Sequence, residues 1–171
     1  MQFQKEQICC FSGYRPEKMD IGRWADAQRE GLLERAVRRA ASSGCVVFMT
    51  GMSRGFDLWG AQMVLALRAE LGLKLWCVIP FAAQAEQWGD EWRELYQDVL
   101  LHSDRTFCLA EDYSPDCFYH RNRFLVQGAS RMICWYDGQT GGTAYTVRLA
   151  RKEGLWIDNL ADPQTTFWDG L

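Results

Sequence analysis

Along this chain, short unbroken apolar runs alternate with longer stretches whose apolar positions recur every three to four residues. The runs are Ile8–Phe11, Cys45–Met49, Leu75–Ile79, Thr106–Leu109, Met132–Trp135 and Leu155–Ile157. Runs of this length read as β-strands. Their lack of polar alternation reads as parallel strands covered on both faces. The first longer stretch, from about Arg23 to Ala41, places Leu33, Ala36, Val37 and Ala40 in one helical stripe. Asp57 to Leu71 aligns Gly60, Val64, Leu67 and Leu71 in the same way. Gln84 to Leu101, rich in Trp and Glu, predicts a third helix, and Ser114-Pro115 supplies an N-cap and first-turn proline for a fourth ending near Ala129. A fifth spans Thr143 to Glu153 and stops at Gly154. No repeat, low-complexity segment or linker interrupts the alternation. It predicts a single α/β domain over residues 1–171, built on a doubly wound, mostly parallel sheet.

Composition narrows the picture. With 171 residues, 48% apolar and 24% charged, the chain has the make-up of an ordinary globular domain. A net charge of −3 counts against a broad electrostatic hold on nucleic acid and leaves room for a local basic pocket. No apolar run approaches the ~20 residues of a membrane span. The opening residues lack the features of a secretory signal, so a cytoplasmic location is expected. The seven cysteines are odd in number, and Cys9, Cys10, Cys45, Cys77, Cys108 and Cys134 sit in apolar runs. They read as small buried hydrophobes in a reducing compartment. His102 and His120 have no partners at ligand spacing, so no metal site is expected. Trp76 and Trp135 read as core, and Trp88 and Trp92 as packing or interface residues. Trp59 is the tryptophan best placed to flank a ligand, although packing is its commoner role.

In a doubly wound sheet, ligands bind beyond the carboxyl ends of the strands. Strand one runs into Ser12-Gly13-Tyr14-Arg15-Pro16, and strand two into Thr50-Gly51-Met52-Ser53-Arg54-Gly55-Phe56-Asp57. The fifth leads to Asp137-Gly138-Gln139-Thr140-Gly141-Gly142-Thr143. Glycine just before a helix lets backbone N–H groups approach an anion, and the helix N-terminus adds its positive dipole end. Such glycines also simply close tight turns, but three of them on one sheet edge favour a phosphate site. Neither Gly-x-Gly-x-x-Gly nor Gly-x-x-x-x-Gly-Lys-Ser/Thr occurs, which disfavours an ordinary dinucleotide dehydrogenase or P-loop ATPase. On the fourth helix, Arg121 and Asn122 lead into the apolar stripe, whereas Arg123 points elsewhere. Arg121 reads equally as one half of a structural salt bridge with Asp57 or Asp137 and as a clamp on a ligand phosphate.

The segments Thr50–Asp57, Phe118–Arg123 and Gly141–Thr143 together resemble the SLOG superfamily, which takes in the DNA-processing protein DprA and the LOG nucleotide hydrolases. Within it, Gly13-Tyr14-Arg15-Pro16, Phe56-Asp57-Leu58-Trp59, Ile79-Pro80-Phe81, Gln84 and Trp88 resemble the compact YpsA-like proteins. The resemblance implies a Rossmann-like fold, a nucleotide-derived ligand and self-association into homo-oligomers. LOG hydrolases carry a catalytic glutamate three residues after the Gly-Thr of their glycine motif, where this chain has Thr146. The additional domains of DprA find no room in this length.

Three functions stand open at this stage. The first is a sensor or regulatory protein that binds a phosphate-bearing, nucleotide-derived ligand through Gly13, Tyr14, Arg15, Gly51, Ser53, Arg54, Gly55, Asp57, Arg121, Asn122, Gly141, Gly142 and Thr143. The second is an N-glycosidic hydrolase acting on a nucleotide, with Asp57 or Asp137 as the acid-base group. The third is DprA-like binding of single-stranded DNA through Arg54, Arg121 and Arg123.

Overall fold

The computed structural model describes residues 2–19 and 26–161. Among them six strands form one sheet: β1 (Ile8–Ser12), β2 (Val47–Thr50), β3 (Lys74–Ile79), β4 (Arg105–Cys108), β5 (Arg131–Cys134) and β6 (Trp156–Asn159). Their order is β4-β3-β2-β1-β5-β6, and every neighbouring pair is parallel. Five helices connect them: α1 (Asp26–Ser42), α2 (Phe56–Leu71), α3 (Asp90–His102), α4 (Cys117–Gly128) and α5 (Gly142–Lys152).

The strands are continuously apolar because successive side chains enter two different cores. Cys9, Phe11, Phe48, Leu75 and Cys77 pack with the α1 stripe, with α2, and with Tyr96 and Val99 of α3. Ile8, Cys10, Val47, Met49 and Met132 pack on the opposite face with Leu125 and Val126 of α4 and Val147 and Ala150 of α5. The chain steps outward from β1 to β4 and returns through α4 to place β5 on the other side of β1. Strand order therefore reverses between β1 and β5, which opens a crevice at their carboxyl ends.

Several boundaries differ from the sequence reading. The third helix begins at Asp90 rather than Gln84. Residues 82–87 instead form turns, with Glu86 N–H donating to the Ala83 carbonyl at 3.0 Å and Trp88 N–H to Ala85 at 3.1 Å. Gly89, extended at φ −61° and ψ 158°, separates these turns from α3. The fourth helix begins at Cys117 after the N-cap residue Asp116, because the Ser114 hydroxyl bonds Asp116 Oδ1 at 3.0 Å instead of capping a backbone N–H. The start of the first helix near Arg23 lies outside the described residues. Strand β4 is not covered on both faces. It forms a sheet edge, and Cys108 on it is exposed while the other six cysteines are buried.

Gly60 shows how tightly α2 lies on the sheet. A Cβ at this position would stand 2.8 Å from two ring carbons of Phe11, itself fully buried on β1. Overpacking of this kind costs about 1–3 kcal/mol, against a gain of ~1 kcal/mol from replacing a helical glycine with alanine. Gly60→Ala is therefore expected to lower stability in urea denaturation. A more stable variant would show that α2 can lift off β1 freely.

Candidate functional site

The loops after β1 and β2 interlock at the crevice. Gly55 has φ +88°, and a Cβ there would stand 2.7 Å from the Tyr14 carbonyl oxygen, so only glycine lets the two loops touch. The next residue, Phe56, donates its N–H to that same carbonyl at 3.2 Å. Met52 takes a left-handed φ of 64° without being glycine. Its N–H donates to Thr50 Oγ1 at 3.2 Å, and that hydroxyl in turn donates to the Asp57 carbonyl at 3.0 Å. A tight hydrogen-bonded turn thus sets Ser53 and Asp57 at the start of α2.

The loop before α5 is fastened from the opposite side. Tyr14 Oη donates to Asp137 Oδ1 at 2.9 Å and accepts the N–H groups of Asp137 and Gln139. Burial, with the Asp137 hydrogen bond adding to it, pushes the Tyr14 phenol up to about 12. Lys18 Nζ donates to the Thr140 carbonyl at 2.8 Å. Asp137 is therefore a fastening group that Tyr14 and Gln139 occupy, and it lies outside the cleft lining.

Between these loops and α4 lies a cleft of about 410 Å³. Gly13, Tyr14, Arg15 and Lys18 line it from the first loop, and Ser53 and Asp57 from the second. Arg121 and Asn122 line it from α4, and Gly142 and Thr143 from the first turn of α5. Four other residues singled out in the sequence are not part of this lining. Gly51 faces Arg121, Gly55 faces the first loop, Gly141 faces Lys18, and Arg54 pairs with Glu17 at 2.5 Å. Lys18 and the aromatic residues Phe118 and Tyr119 also line the cleft and were not among the site residues read from the sequence. The signal for Lys18 was a second cation three residues after Arg15 in the same loop. Trp59 does not line the cleft; it packs against Trp92 and under the Arg29 guanidinium.

Arg121 is buried, with 6% exposure. Its guanidinium donates to the Gly51 carbonyl, to Asn122 Oδ1 at 2.8 Å and to Ser53 Oγ at 3.4 Å. Its carbon lies 5.6 Å from the centre of the Phe118 ring. Among the described residues no carboxylate oxygen comes within 4.0 Å of it, so the salt bridge to Asp57 or Asp137, one of the two equal readings of Arg121, does not form. A Cβ on Gly51 would stand 2.7 Å from Arg121 Nη1, which requires glycine there for contact rather than for a ligand.

Asp57 is buried beside this cation. Burial pushes its carboxyl up from 3.8 to about 6, while the charges of Arg121 and Arg15 and the Ser53 N–H pull the other way. At the far wall, α5 begins with Gly141 at the N-cap, with no side-chain cap and no acidic residue in its first turn. Its free N–H groups and dipole therefore face the cleft unopposed. Thr146 is fully buried, and its hydroxyl donates back to the Gly142 carbonyl at 2.7 Å, so it presents nothing to the cleft. Among the described residues no group of His, Cys, Asp or Glu is placed to hold a metal ion, and no helix is long and apolar enough to cross a membrane.

Residues 9–155 match the YspA SLOG family. A UPF0398 protein of Bacillus cereus strain G9842 is 26% identical over 156 residues, covering 86% of this chain and 84% of the relative. Among solved structures, DNA processing protein A of Streptococcus pneumoniae superposes with a TM-score of 0.63 at 16% identity, covering 97% of this chain and 57% of that one. A Helicobacter pylori DNA processing protein A, described for its single-stranded DNA binding mode, superposes with a TM-score of 0.61 at 15% identity, covering 90% and 64%. The chain thus spans less than two thirds of either structure, and the likeness is one of fold.

Asp57 holds its proton more tightly in the folded chain than in the unfolded one. Its contribution to stability is therefore full below pH 3.8 and is lost as pH rises through about 6. A shift of this size corresponds to about 3 kcal/mol. Asp57→Asn, which cannot ionise, is expected to remove that loss, so that urea denaturation shows the variant gaining on the wild type between pH 4 and pH 7. Parallel stability curves for the two proteins would show that the carboxyl is not desolvated.

Proposed function

We propose, for a chain that belongs to the YspA SLOG family, that the cleft between β1 and β5 binds a phosphate-bearing, nucleotide-derived ligand, and that the protein acts as a sensor or regulator rather than through turnover. The observation that carries this reading is that the uncapped N-terminus of α5 and three cations line one cleft. Arg15 and Lys18 are exposed on one rim, and Arg121 is buried in the floor. A phosphate dianion would meet free backbone N–H groups with the Lys18 ammonium beside them, and the guanidinium groups of Arg15 and Arg121 in the same cleft. The volume suits a mononucleotide-sized ligand, and Phe118 and Tyr119 offer aromatic surface beside the phosphate position.

Hydrolysis of a nucleotide is the weaker reading. The position of the LOG glutamate holds a buried threonine whose hydroxyl is already engaged, and Asp137 is bound by Tyr14 and Gln139. Among the described residues Asp57 is the remaining carboxyl lining the cleft, and a single carboxyl gives no carboxylate pair for acid and base. Single-stranded DNA binding draws support from the exposed Tyr113 and Tyr119, at 61% and 46% exposure, which could stack bases. The net charge of −3 weighs against it.

Isothermal calorimetry with a panel of nucleoside mono- and diphosphates tests the reading, with inorganic phosphate as competitor. Arg15→Ala is expected to weaken binding roughly fivefold to tenfold with little change in melting temperature, since Arg15 is exposed. Arg121→Ala should lower both quantities, because the same guanidinium also holds the Gly51 carbonyl. Tight binding of an oligodeoxynucleotide, falling steeply with salt and with no response to mononucleotides, would favour the DNA reading instead.

A further inference from the structure

One group in the cleft is left over once a phosphate has been assigned to α5 and the cations. Asp57 lines the cleft at 6% exposure, and its Oδ1 has no hydrogen-bond partner among the described residues. Its Oδ2 accepts only the Ser53 N–H, at 3.3 Å. Buried polar atoms are nearly always paired, and an acceptor cut off from water and left unmet is costly. The neighbouring protein groups do not meet this need. Arg121 directs three of its five N–H groups to Gly51, Ser53 and Asn122 and makes no hydrogen bond to Asp57. Arg15 acts on Asp57 only through its charge, and the Cys10 thiol on the strand beneath feels the carboxyl but makes no hydrogen bond to it.

A bound phosphate would not supply the missing donor, because its oxygens at neutral pH are chiefly acceptors and its charge repels a carboxylate. The donor must come from the part of the ligand next to the phosphate. In a nucleotide that part is the sugar, whose hydroxyls make short, strong hydrogen bonds to carboxylates. The floor of the cleft has the continuity this needs. Asn122 accepts from Arg121 beside Asp57, and its Nδ2 lies 3.9 Å from where a Cβ on Gly142 would stand, at the phosphate end.

We propose that Asp57 accepts hydrogen bonds from the free ribose hydroxyls of the ligand, so that the cleft selects ribonucleoside phosphates over dideoxy counterparts and over DNA. This rests on the phosphate reading above and adds the sugar to it. Asp57 is then a specificity-determining residue, and its carboxyl finds in the bound state the partner it lacks in the free protein.

The test compares adenosine 5′-monophosphate with 2′,3′-dideoxyadenosine 5′-monophosphate by calorimetry at pH 7.5, on the wild type, Asp57→Asn and Asp57→Leu. The wild type is expected to prefer the ribonucleotide by roughly tenfold to a hundredfold, the range of a charge-assisted hydrogen bond. The preference should shrink in the Asn variant and vanish in the Leu variant, while the dideoxy nucleotide binds all three proteins similarly. Equal binding of the two nucleotides by the wild type overturns this inference and leaves the phosphate reading intact. Binding of neither overturns both. A preference that survives in the Leu variant assigns the sugar contact to another residue and overturns the role of Asp57. The wild-type comparison decides the main point even if a variant fails to fold.

Discussion

A guanidinium buried at the carboxyl edge of the sheet, held by neutral oxygens and by no paired carboxylate, sets the terms for everything around it. Arg121 reaches the cleft floor from α4 and draws the Gly51 carbonyl, the Ser53 hydroxyl and the Asn122 amide onto itself. Such a cation is costly to desolvate, and dipoles offset that cost only in part. The surrounding geometry is accordingly tight. Gly51 has no room for a side chain, Met52 is held in a left-handed turn, and Asp57 lies close enough to feel the charge without pairing to it. The guanidinium is paired directly to no carboxylate among the described residues, Asp57 offsets its charge only from a distance, and it lines the cleft, as an anion site requires.

The second constraint is the fastening of two loops across the strand reversal. Tyr14 holds Asp137 and Gln139, and Lys18 holds the Thr140 carbonyl, so hydrogen bonds tie the loops from β1 and β5 together. This fixes the uncapped first turn of α5 relative to Arg15 and Lys18. Glycines in these loops serve mainly to let backbone approach backbone or side chain. Gly55 admits the Tyr14 carbonyl, and only Gly13 and Gly142 themselves face the cleft. The cleft thus combines cations and free helix N–H groups with one desolvated carboxyl, Asp57, beside Arg121.

Much of this was legible in the sequence. All six strands follow from unbroken apolar runs, which two-sided burial makes a strong signal, and the buried stripes of α1 and α2 from helical periodicity. The inward aim of Arg121 and Asn122 followed from helical spacing alone. What escaped was information carried by contacts rather than by periodicity. Gln84 looked helical because 84–101 is rich in helix formers, yet the turns of 82–87 precede an extended Gly89. Strand β4 looked like its neighbours, but it is largely exposed while β6 at the opposite edge is largely buried, and which edge the rest of the fold covers is a property of topology. Asp137 was a reasonable acid-base candidate until Tyr14, 123 residues away in sequence, proved to occupy it.

The claim that anion binding centres on the first turn of α5 can be read directly by following backbone amide resonances during titration with adenosine 5′-monophosphate. The account predicts that the largest shifts fall on Gly142 and Thr143, with smaller ones at Gly13, Arg15 and Ser53 around the same cleft. Shifts confined to the separate hollow beside Ala82, Arg93 and Tyr96, with Gly142 and Thr143 unmoved, would contradict it.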